Sequence, residues 1–317
     1  MAGHDQTPAI VRVGAITRIG AVDIAWESFG DPDHPAILLI AGLGTQMIRW
    51  TGAFCRALAA RGWRVIRFDN RDTGCSTHLD HCPPPDIGAV IGALGVGRRP
   101  DLPYSLDDMA GDAVGLLDAL GIGRAHVVGR SMGGMIAQIL ASDHGHRVCS
   151  LTSIMSGTGN PAVAGPAPDV LALLLGPAPD PAIDPEGFLA HGLAFARRIA
   201  GTGRPFDAAA CRALLLDELR RGRAPGGTAR QLAAMIAAGD RRSRLAGVTA
   251  PGLVVHGTDD PLIPPAAGRD TAAAIPGATL LEIEGLGHDL PPWVYGRVVA
   301  AIHRVAMRPG RDETGSR

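Results

Sequence analysis

Apolar and polar positions alternate between strand-like and helix-like segments over much of the chain. Continuous apolar runs, typical of strands buried on both faces of a sheet, are each followed by a stretch with helical spacing. Six such strands are predicted at 36–41, 63–68, 124–129, 148–155, 252–255 and 278–283. Segments 11–16 and 21–27, joined across 18–20, predict an antiparallel hairpin before them. We therefore expect an α/β fold with a mostly parallel eight-stranded sheet, this N-terminal hairpin, and helices on both faces.

Helical spacing and end signals predict helices at about 50–61, 105–120, 132–141, 266–274 and 291–305. Ser105 and Asp108 form an acidic capping box that opens the second of these, and Gly121 is placed to end it. Prolines 83, 84 and 85 interrupt the pattern, so the stretch as far as Pro103 is predicted to be a loop.

The alternation stops between residues 156 and 245, where Pro, Gly, Ala and Arg dominate. Helical patches are predicted at 170–175, 187–199, 208–221 and 228–238, with no convincing strand. We expect a helical cap over the carboxyl edge of the sheet, with an extra packing layer as the alternative. The predicted domains are a core of 1–155 and 246–308, the cap, and a disordered polar tail of 309–317.

Composition excludes several classes of protein. The 317 residues are 46% hydrophobic with a net charge of -1, which gives no electrostatic case for binding nucleic acid or an anionic membrane. Five scattered cysteines without a C-x-x-C motif fit neither a disulfide framework nor a zinc site. Because the start lacks a signal peptide and the apolar runs are too short to span a bilayer, we expect a cytoplasmic protein.

The motif Gly129-x-Ser131-x-Gly133 lies between a predicted strand and a predicted helix. In that context it is typical of a sharp turn that strains the serine backbone and exposes its hydroxyl at the end of the strand. A Cβ at either glycine would collide where the strand and helix cross. Ser131 is the predicted nucleophile, and a purely structural Gly–Ser turn is the alternative.

A serine hydroxyl needs a base that is itself oriented by a third group, and later loops offer both. His288 lies in a glycine-rich loop after the final strand, with room to swing toward Ser131, and is the predicted base. Asp260 is the predicted acid because the preceding turn and Pro261 direct it, with Asp259 as the alternative. The loop 156–160 after the preceding strand contains no carboxylate.

Two backbone N–H groups are the predicted donors to a developing oxyanion. Met132 directly follows the nucleophile at the start of a helix, and Leu43 lies in the turn after the first parallel strand. The Gly42-x-Gly44 sequence of that turn lacks the third glycine of a dinucleotide fingerprint, and no cofactor is predicted.

Other polar residues receive structural interpretations. His126 is predicted to be a core histidine and His256 to shape the acid loop, while His78 and His81 lack the further ligands of a metal site. Asp69, Arg71 and Asp72 could contact substrate, but an internal ion-pair network is favoured.

Three blocks, 68–77, 131–138 and 151–156, resemble the aclacinomycin methylesterase-like serine esterases of the α/β-hydrolase superfamily. The resemblance covers the chain outside 156–245. It implies a cofactor-free esterase with a helical cap and a triad of Ser131, Asp260 and His288, related to an enzyme that removes a methyl ester from an anthracycline polyketide. Two positions depart from the family pattern: Ala41 stands where many relatives carry His, and Arg130 replaces a small or neutral residue. A cation at Arg130 could disturb the base or favour an anionic substrate.

We therefore expect hydrolysis of a carboxylic ester, such as a methyl ester, on a fairly apolar and polyketide-like small molecule. The same triad could act on an amide, a lactone or a C–C bond, or in perhydrolysis, because fold and triad do not separate these reactions. A non-catalytic ligand receptor is the alternative from another class. The oligomeric state is left open.

Overall fold

A computed structural model of the protein describes residues 13–309, and its centre is an eight-stranded sheet. The strands are β1 (Val13–Ile19), β2 (Val22–Phe29), β3 (Ala36–Ile40), β4 (Arg64–Phe68), β5 (Ala125–Arg130), β6 (Val148–Ile154), β7 (Gly252–Gly257) and β8 (Thr279–Ile283). Their spatial order is β1-β2-β4-β3-β5-β6-β7-β8. The pairs from β4 to β8 are parallel, and β2 is antiparallel to β1 and β4. The predicted mostly parallel sheet with an N-terminal hairpin is confirmed.

The helices within the described residues are α1 (Gly52–Ala59), α2 (Ile87–Gly95), α3 (Leu106–Ala119), α4 (Met132–Asp143), α5 (Pro168–Leu175), α6 (Pro185–Ile199), α7 (Ala208–Arg221), α8 (Gly227–Ala237), α9 (Arg242–Leu245), α10 (Pro265–Ala274) and α11 (Tyr295–Ala306). Short 3-10 turns occupy Met47–Arg49, Gly145–Arg147 and Pro292–Val294. The predicted capping box is present, with Ser105 and Asp108 exchanging hydrogen bonds at the start of α3.

Two hydrophobic cores cover the sheet, one on each face. Helices α3 and α4 pack on one face, and α1 and α11 pack on the other. All five residues of β3 are buried, and its side chains alternate between the cores: Leu38 and Ile40 enter the first, whereas Ile37 and Leu39 enter the second. This alternation explains why the strand has no polar face in the sequence.

The strand order reverses at the carboxyl edge of the sheet, where the sequence predicts the nucleophile to lie. From β3 the chain passes to β4 on one side, and the next strand in sequence, β5, lies on the other side. In open parallel sheets, ligands bind at the carboxyl ends of strands at such a switch point. The turn after β3 and the turn after β5 therefore face the same crevice.

Two local predictions were wrong. The stretch predicted as a loop as far as Pro103 contains α2, because the prolines precede the helix and Asp86 caps it by accepting a hydrogen bond from the Ala89 N–H at 3.2 Å. The hairpin turn falls at Gly20 and Ala21 instead of 18–20, with Gly20 at a φ of 55°. The start of the predicted first strand (11–12) and positions 310–317 of the predicted tail lie outside the described residues.

Residues 156–245, which we call the inserted segment, contain α5 to α9 and, within the part of the chain that is described, no strand. Helix α8 contacts α2 and α3, so the segment packs against the helices beside the crevice. Across residues 13–309, no helix combines the length and apolarity needed to cross a bilayer.

Candidate active site

The turn between β5 and α4 holds Ser131 in a backbone conformation that side chains rarely adopt, with φ 57° and ψ −124°. A Cβ built on Gly129 would lie 2.0 Å from the Gly133 carbonyl oxygen. One on Gly133 would lie 2.2 Å from the Ile40 carbonyl oxygen. Both glycines are therefore required by the close crossing of α4 over the sheet, as the motif predicted.

Hydrogen bonds from neighbouring segments fix the Ser131 backbone. The Ser131 N–H donates to the Ile154 carbonyl at 2.9 Å, and the Ser156 hydroxyl donates to the Ser131 carbonyl at 2.8 Å. Among the described residues the Ser131 hydroxyl itself has no hydrogen bond to protein. The strained turn is thus held by its backbone, and the hydroxyl remains available to a ligand.

His288 and Asp260 meet at the ends of the last two strands. His288 Nδ1 lies 2.7 Å from Asp260 Oδ2, and because a carboxylate only accepts, the imidazole donates. The N–H groups of Leu262 and Ile263 each donate to Asp260 Oδ1 at 2.9 Å. Burial opposes ionisation of Asp260, but attraction to His288 and these hydrogen bonds outweigh it and lower the pKa of Asp260 well below its usual range. Asp260 is therefore an ionised group that orients the imidazole.

Asp259, the alternative acid, faces elsewhere. Its carboxylate accepts hydrogen bonds from the Thr202 and Thr258 hydroxyls, and these bonds lower its pKa. Thr202 belongs to the inserted segment, so Asp259 joins that segment to the sheet. His288 is hydrogen-bonded to Asp260 and not to Asp259.

The loop that carries His288 is tightly held, contrary to the expectation that its glycines leave room for movement. The His288 N–H donates to the Ile199 carbonyl at 2.6 Å. A Cβ on Gly287 would lie 2.0 Å from the same oxygen, and one on Gly257 would lie 2.0 Å from the Leu286 carbonyl. The glycines permit close backbone contact with the end of α6, and this contact fixes the position of His288.

Ser131 and His288 border one cavity of about 630 Å³. Leu43 lies on the same wall, and a Cβ on Gly42 would come within 3.2 Å of Ser131 Cβ. Most of the remaining lining is apolar and comes largely from α2, α5, α6 and α8, for example Ile91, Leu171, Phe195 and Met235. The predicted nucleophile, the predicted base and Leu43, one of the two predicted oxyanion donors, therefore border the same apolar cavity.

Gln231 of α8 supports the turn after β3, a role that the sequence did not indicate. Its side chain is fully buried, and its Oε1 accepts a hydrogen bond from the Gly44 N–H at 2.8 Å. Its Nε2 donates to the Arg71 carbonyl at 2.7 Å and to the Thr73 hydroxyl at 2.8 Å. One buried amide thus joins the turn that contains Leu43 to the loop after β4.

The polar loop after β4 forms the internal ion-pair network favoured by the sequence. Arg71 pairs with Asp112 through two hydrogen bonds of 2.7 Å. Asp69 pairs with Arg221 of α7 at 2.6 Å, and Asp72 pairs with Arg230 of α8. Two of these three pairs connect the loop to the inserted segment.

The other histidines occupy structural positions. His126 is buried in β5 with Nδ1 2.9 Å from the Ser150 hydroxyl, and burial lowers its pKa to about 4. His256 Nε2 lies 2.8 Å from the Ile263 carbonyl, behind Asp260. His78 Nε2 lies 2.9 Å from the Gly74 carbonyl. Within residues 13–309, no cluster of His, Cys, Asp or Glu side chains is arranged to hold a metal ion.

Comparisons with known proteins identify the family to which the chain belongs. A family model described as the alpha/beta hydrolase fold matches residues 35–190. The rhodomycin D methylesterase DauP of Streptomyces sp. (strain C5) is 34% identical over 312 residues, covering 87% of this chain and 92% of that protein. The putative carbamate hydrolase RutD of Variovorax paradoxus is 30% identical and covers 83% and 88% of the two chains. The solved enol-lactonase from Burkholderia xenovorans LB400 superposes with a TM-score of 0.67 at 23% identity, covering 93% of this chain and all of that chain.

Proposed function

The chain belongs to the α/β-hydrolase family as a carboxylic ester hydrolase, and from this premise we propose that it acts through a triad of Ser131, His288 and Asp260. The observation that carries the proposal is the 2.7 Å hydrogen bond between His288 and Asp260, at the rim of the cavity that Ser131 also borders. A serine on a strained turn, an imidazole and an ionised carboxylate are the three groups that acyl transfer requires.

In the proposed reaction, the Ser131 hydroxyl attacks the ester carbonyl while His288 Nε2 takes its proton. Asp260 stabilises the imidazolium, and the N–H groups of Leu43 and Met132 donate to the oxyanion. His288 then gives the proton to the leaving alcohol, and an acyl-enzyme remains. A water molecule, deprotonated by His288, attacks the acyl-enzyme and releases the acid and free Ser131.

We propose that the substrate is a methyl ester of a fairly apolar, polyketide-like small molecule. The support is the name of the relatives, rhodomycin D methylesterase, and the size and lining of the cavity. Its volume of about 630 Å³ falls within the range that accommodates drug-sized ligands. The inserted segment would act as a cap in this scheme, because α5 to α8 supply most of the apolar wall and the core supplies the triad.

Ser131→Ala is the primary test. We expect kcat for a short nitrophenyl ester to fall by at least about 10⁴-fold, because the attacking oxygen is removed. The melting temperature should change by less than about 1 °C, because the hydroxyl has no hydrogen bond to the described protein. A fluorophosphonate should label the wild-type protein at Ser131 and fail to label the variant.

Ser243→Ala, at an exposed position of α9, is the matched control and should retain full activity and labelling. Full turnover by Ser131→Ala would refute the triad. A panel of amides, lactones and carbamates, assayed beside the esters, tests the bond that is cleaved. Faster turnover of an amide or a carbamate would refute the ester assignment. Faster turnover of a lactone, which is a cyclic ester, would refute the methyl-ester assignment. Either result would leave the triad intact.

A further inference from the structure

Arg130, the residue before the proposed nucleophile, presents a cation to the cavity. It borders the cavity together with Ser131 and His288 and keeps part of its surface accessible. Among residues 13–309 its guanidinium makes no hydrogen bond and no ion pair within 4 Å. Each of its side-chain nitrogens keeps some contact with solvent. The cavity is the open space that Arg130 borders.

A second arginine on the same wall is already neutralised. Arg49 also borders the cavity, but its guanidinium donates two hydrogen bonds of 2.7 Å to the carboxylate of Glu218. This two-pronged geometry pairs Glu218 with Arg49. Within residues 13–309, Glu218 makes no ion pair with Arg130 within 4 Å.

The remaining acid near Arg130 is Asp289, the residue after the proposed base. Its charge acts on Arg130 from beyond ion-pair distance, and burial raises the pKa of Asp289 to about 6 despite that attraction. Burial and the charge of Arg49 lower the pKa of Arg130 to about 10, so Arg130 stays protonated at neutral pH. Within residues 13–309, a protonated guanidinium beside the proposed nucleophile thus lacks a direct anionic partner.

We propose that Arg130 is an anion subsite, and that the substrate is an ester whose acyl part also carries an ionised carboxylate or phenol. A partly buried cation loses hydration without gaining a protein partner, and an anionic group of the ligand would supply that partner. The planar guanidinium suits such oxygen anions because it offers paired donors. This inference rests on the proposed function. If the leaving group is methanol, it carries no charge, so the anion must lie on the acyl part.

The test compares two esters of the same diacid at pH 7. Monomethyl esters of succinate, glutarate, adipate and pimelate are anionic, and the dimethyl esters are neutral probes of the same chain length. For the best-fitting length, we expect wild-type kcat/KM to be about 10- to 100-fold higher for the monoanion, as one charge-assisted hydrogen-bonded contact implies. Arg130→Met should remove this preference, so that the ratio of kcat/KM for the two esters falls to about one, whereas Arg130→Lys should retain part of it.

Arg220→Met is the matched control, because Arg220 is exposed on α7 and away from the cavity lining. The ratio of kcat/KM for the monoanionic and neutral esters should be the same in Arg220→Met as in the wild type. Circular dichroism shows whether each variant is folded. If Arg130→Met is not folded, Arg130→Lys tests the role of the guanidinium. Hydrolysis of the dimethyl esters without any preference for the monoanion would overturn the anion subsite and leave the esterase assignment standing.

A binding measurement separates this inference from catalysis. Titration calorimetry of the free diacids with the Ser131→Ala protein needs no turnover. We expect Arg130→Met in that background to weaken binding of the best diacid by about tenfold or more. Equal binding to both proteins would overturn the inference. If the wild-type protein hydrolysed none of the esters and was not labelled at Ser131, yet the diacid still bound, the proposed triad would be overturned instead.

Discussion

Replacing Arg230 by Met should destabilise the protein more than any surface change, because Arg230 neutralises a carboxylate buried between the inserted segment and the core. Arg230 Nε and Nη2 donate to the two oxygens of Asp72 at 2.8 Å each, and the side chains are 1% and 0% exposed. Asp72 also accepts hydrogen bonds from the Tyr104 hydroxyl and the Leu79 N–H. The substitution would leave these neutral donors but remove the only cation in direct contact with Asp72 among the described residues.

The magnitude follows from the cost of leaving a buried charge unpaired, which is about 3 to 5 kcal/mol when one partner of a buried ion pair is removed. An unfolding entropy of about 2.1 cal/mol/K per residue gives about 0.7 kcal/mol/K for a chain of 317 residues. The expected fall in melting temperature is therefore about 4 to 8 °C. Urea unfolding at pH 7 should show the same loss as a lower midpoint.

Arg220→Met provides the comparison, because it removes the same kind of side chain from an exposed pair. Arg220 and Asp217 are 71% and 58% exposed, and such pairs contribute at most about 1 kcal/mol. If both variants melted within 1 °C of each other, the reasoning about the buried pair would be wrong.

The effect of Arg230→Met should also depend on pH. Burial of Asp72 opposes ionisation, but hydrogen bonds from Arg230, Leu79 and Tyr104 prevail and lower its pKa. A carboxyl whose folded-state pKa is lowered contributes stability above its unfolded pKa of about 4 and loses that contribution as pH falls below it. In the variant, Asp72 stays buried without its cation, which favours the protonated carboxyl. The difference in stability between wild type and Arg230→Met should therefore shrink as pH falls from 7 to 4 and shrink further below pH 4.

Two further variants test the surroundings of the proposed triad. Asp289→Asn should be more stable than wild type at pH 8 by up to about 3 kcal/mol, because burial raises the Asp289 pKa to about 6. Because the Asp289 pKa is raised in the folded state, the wild type loses stability as pH rises from about 4 to 6. The extra stability of Asp289→Asn over the wild type should therefore vanish below pH 4 when thermal unfolding is measured. Gln231→Leu should reduce kcat by about tenfold with little change in KM. The reason is that the Gly44 N–H loses its hydrogen-bond acceptor, so the turn that contains the proposed oxyanion donor Leu43 is less firmly held. Gln231→Glu, which keeps that acceptor, should recover part of the kcat; equal losses in both variants would contradict the positioning role.

The sequence predicted those parts of the fold that depend on short-range chemistry. Continuous apolar runs identified the strands because a parallel sheet covered on both faces needs them. The glycines around Ser131 identified the sharp turn because a Cβ at either position would lie 2.0 or 2.2 Å from a backbone carbonyl oxygen. Asp260 and His288 were selected from loops that follow strands, and the structure brings them into hydrogen-bond contact. Their catalytic role remains a prediction.

Contacts between distant parts of the chain were not predictable in the same way. Helix α2 was missed because three prolines precede it and its apolar side chains line a cavity that only the inserted segment completes. Gln231 was missed because a lone Gln in a helix carries no signal of its partner, and Gly44 lies 187 residues before it. Asp72 and Asp69 were predicted to form ion pairs, but their partners on α7 and α8 were not identified.

The inserted segment contributes to the geometry of the site as well as to the wall of the cavity. Gln231 of α8 accepts from the backbone of the turn after β3, and the Ile199 carbonyl at the end of α6 accepts from the His288 N–H. In the proposed reaction, one contact supports the turn that carries the oxyanion donor Leu43, and the other holds the backbone of the base His288. If the segment were only a lid, its helices would contact ligand, and the Gly44 and His288 N–H groups would be hydrogen-bonded to residues of the core. Because they are hydrogen-bonded to the segment, substitutions in α6 and α8 that never contact substrate can change the rate of the chemical step.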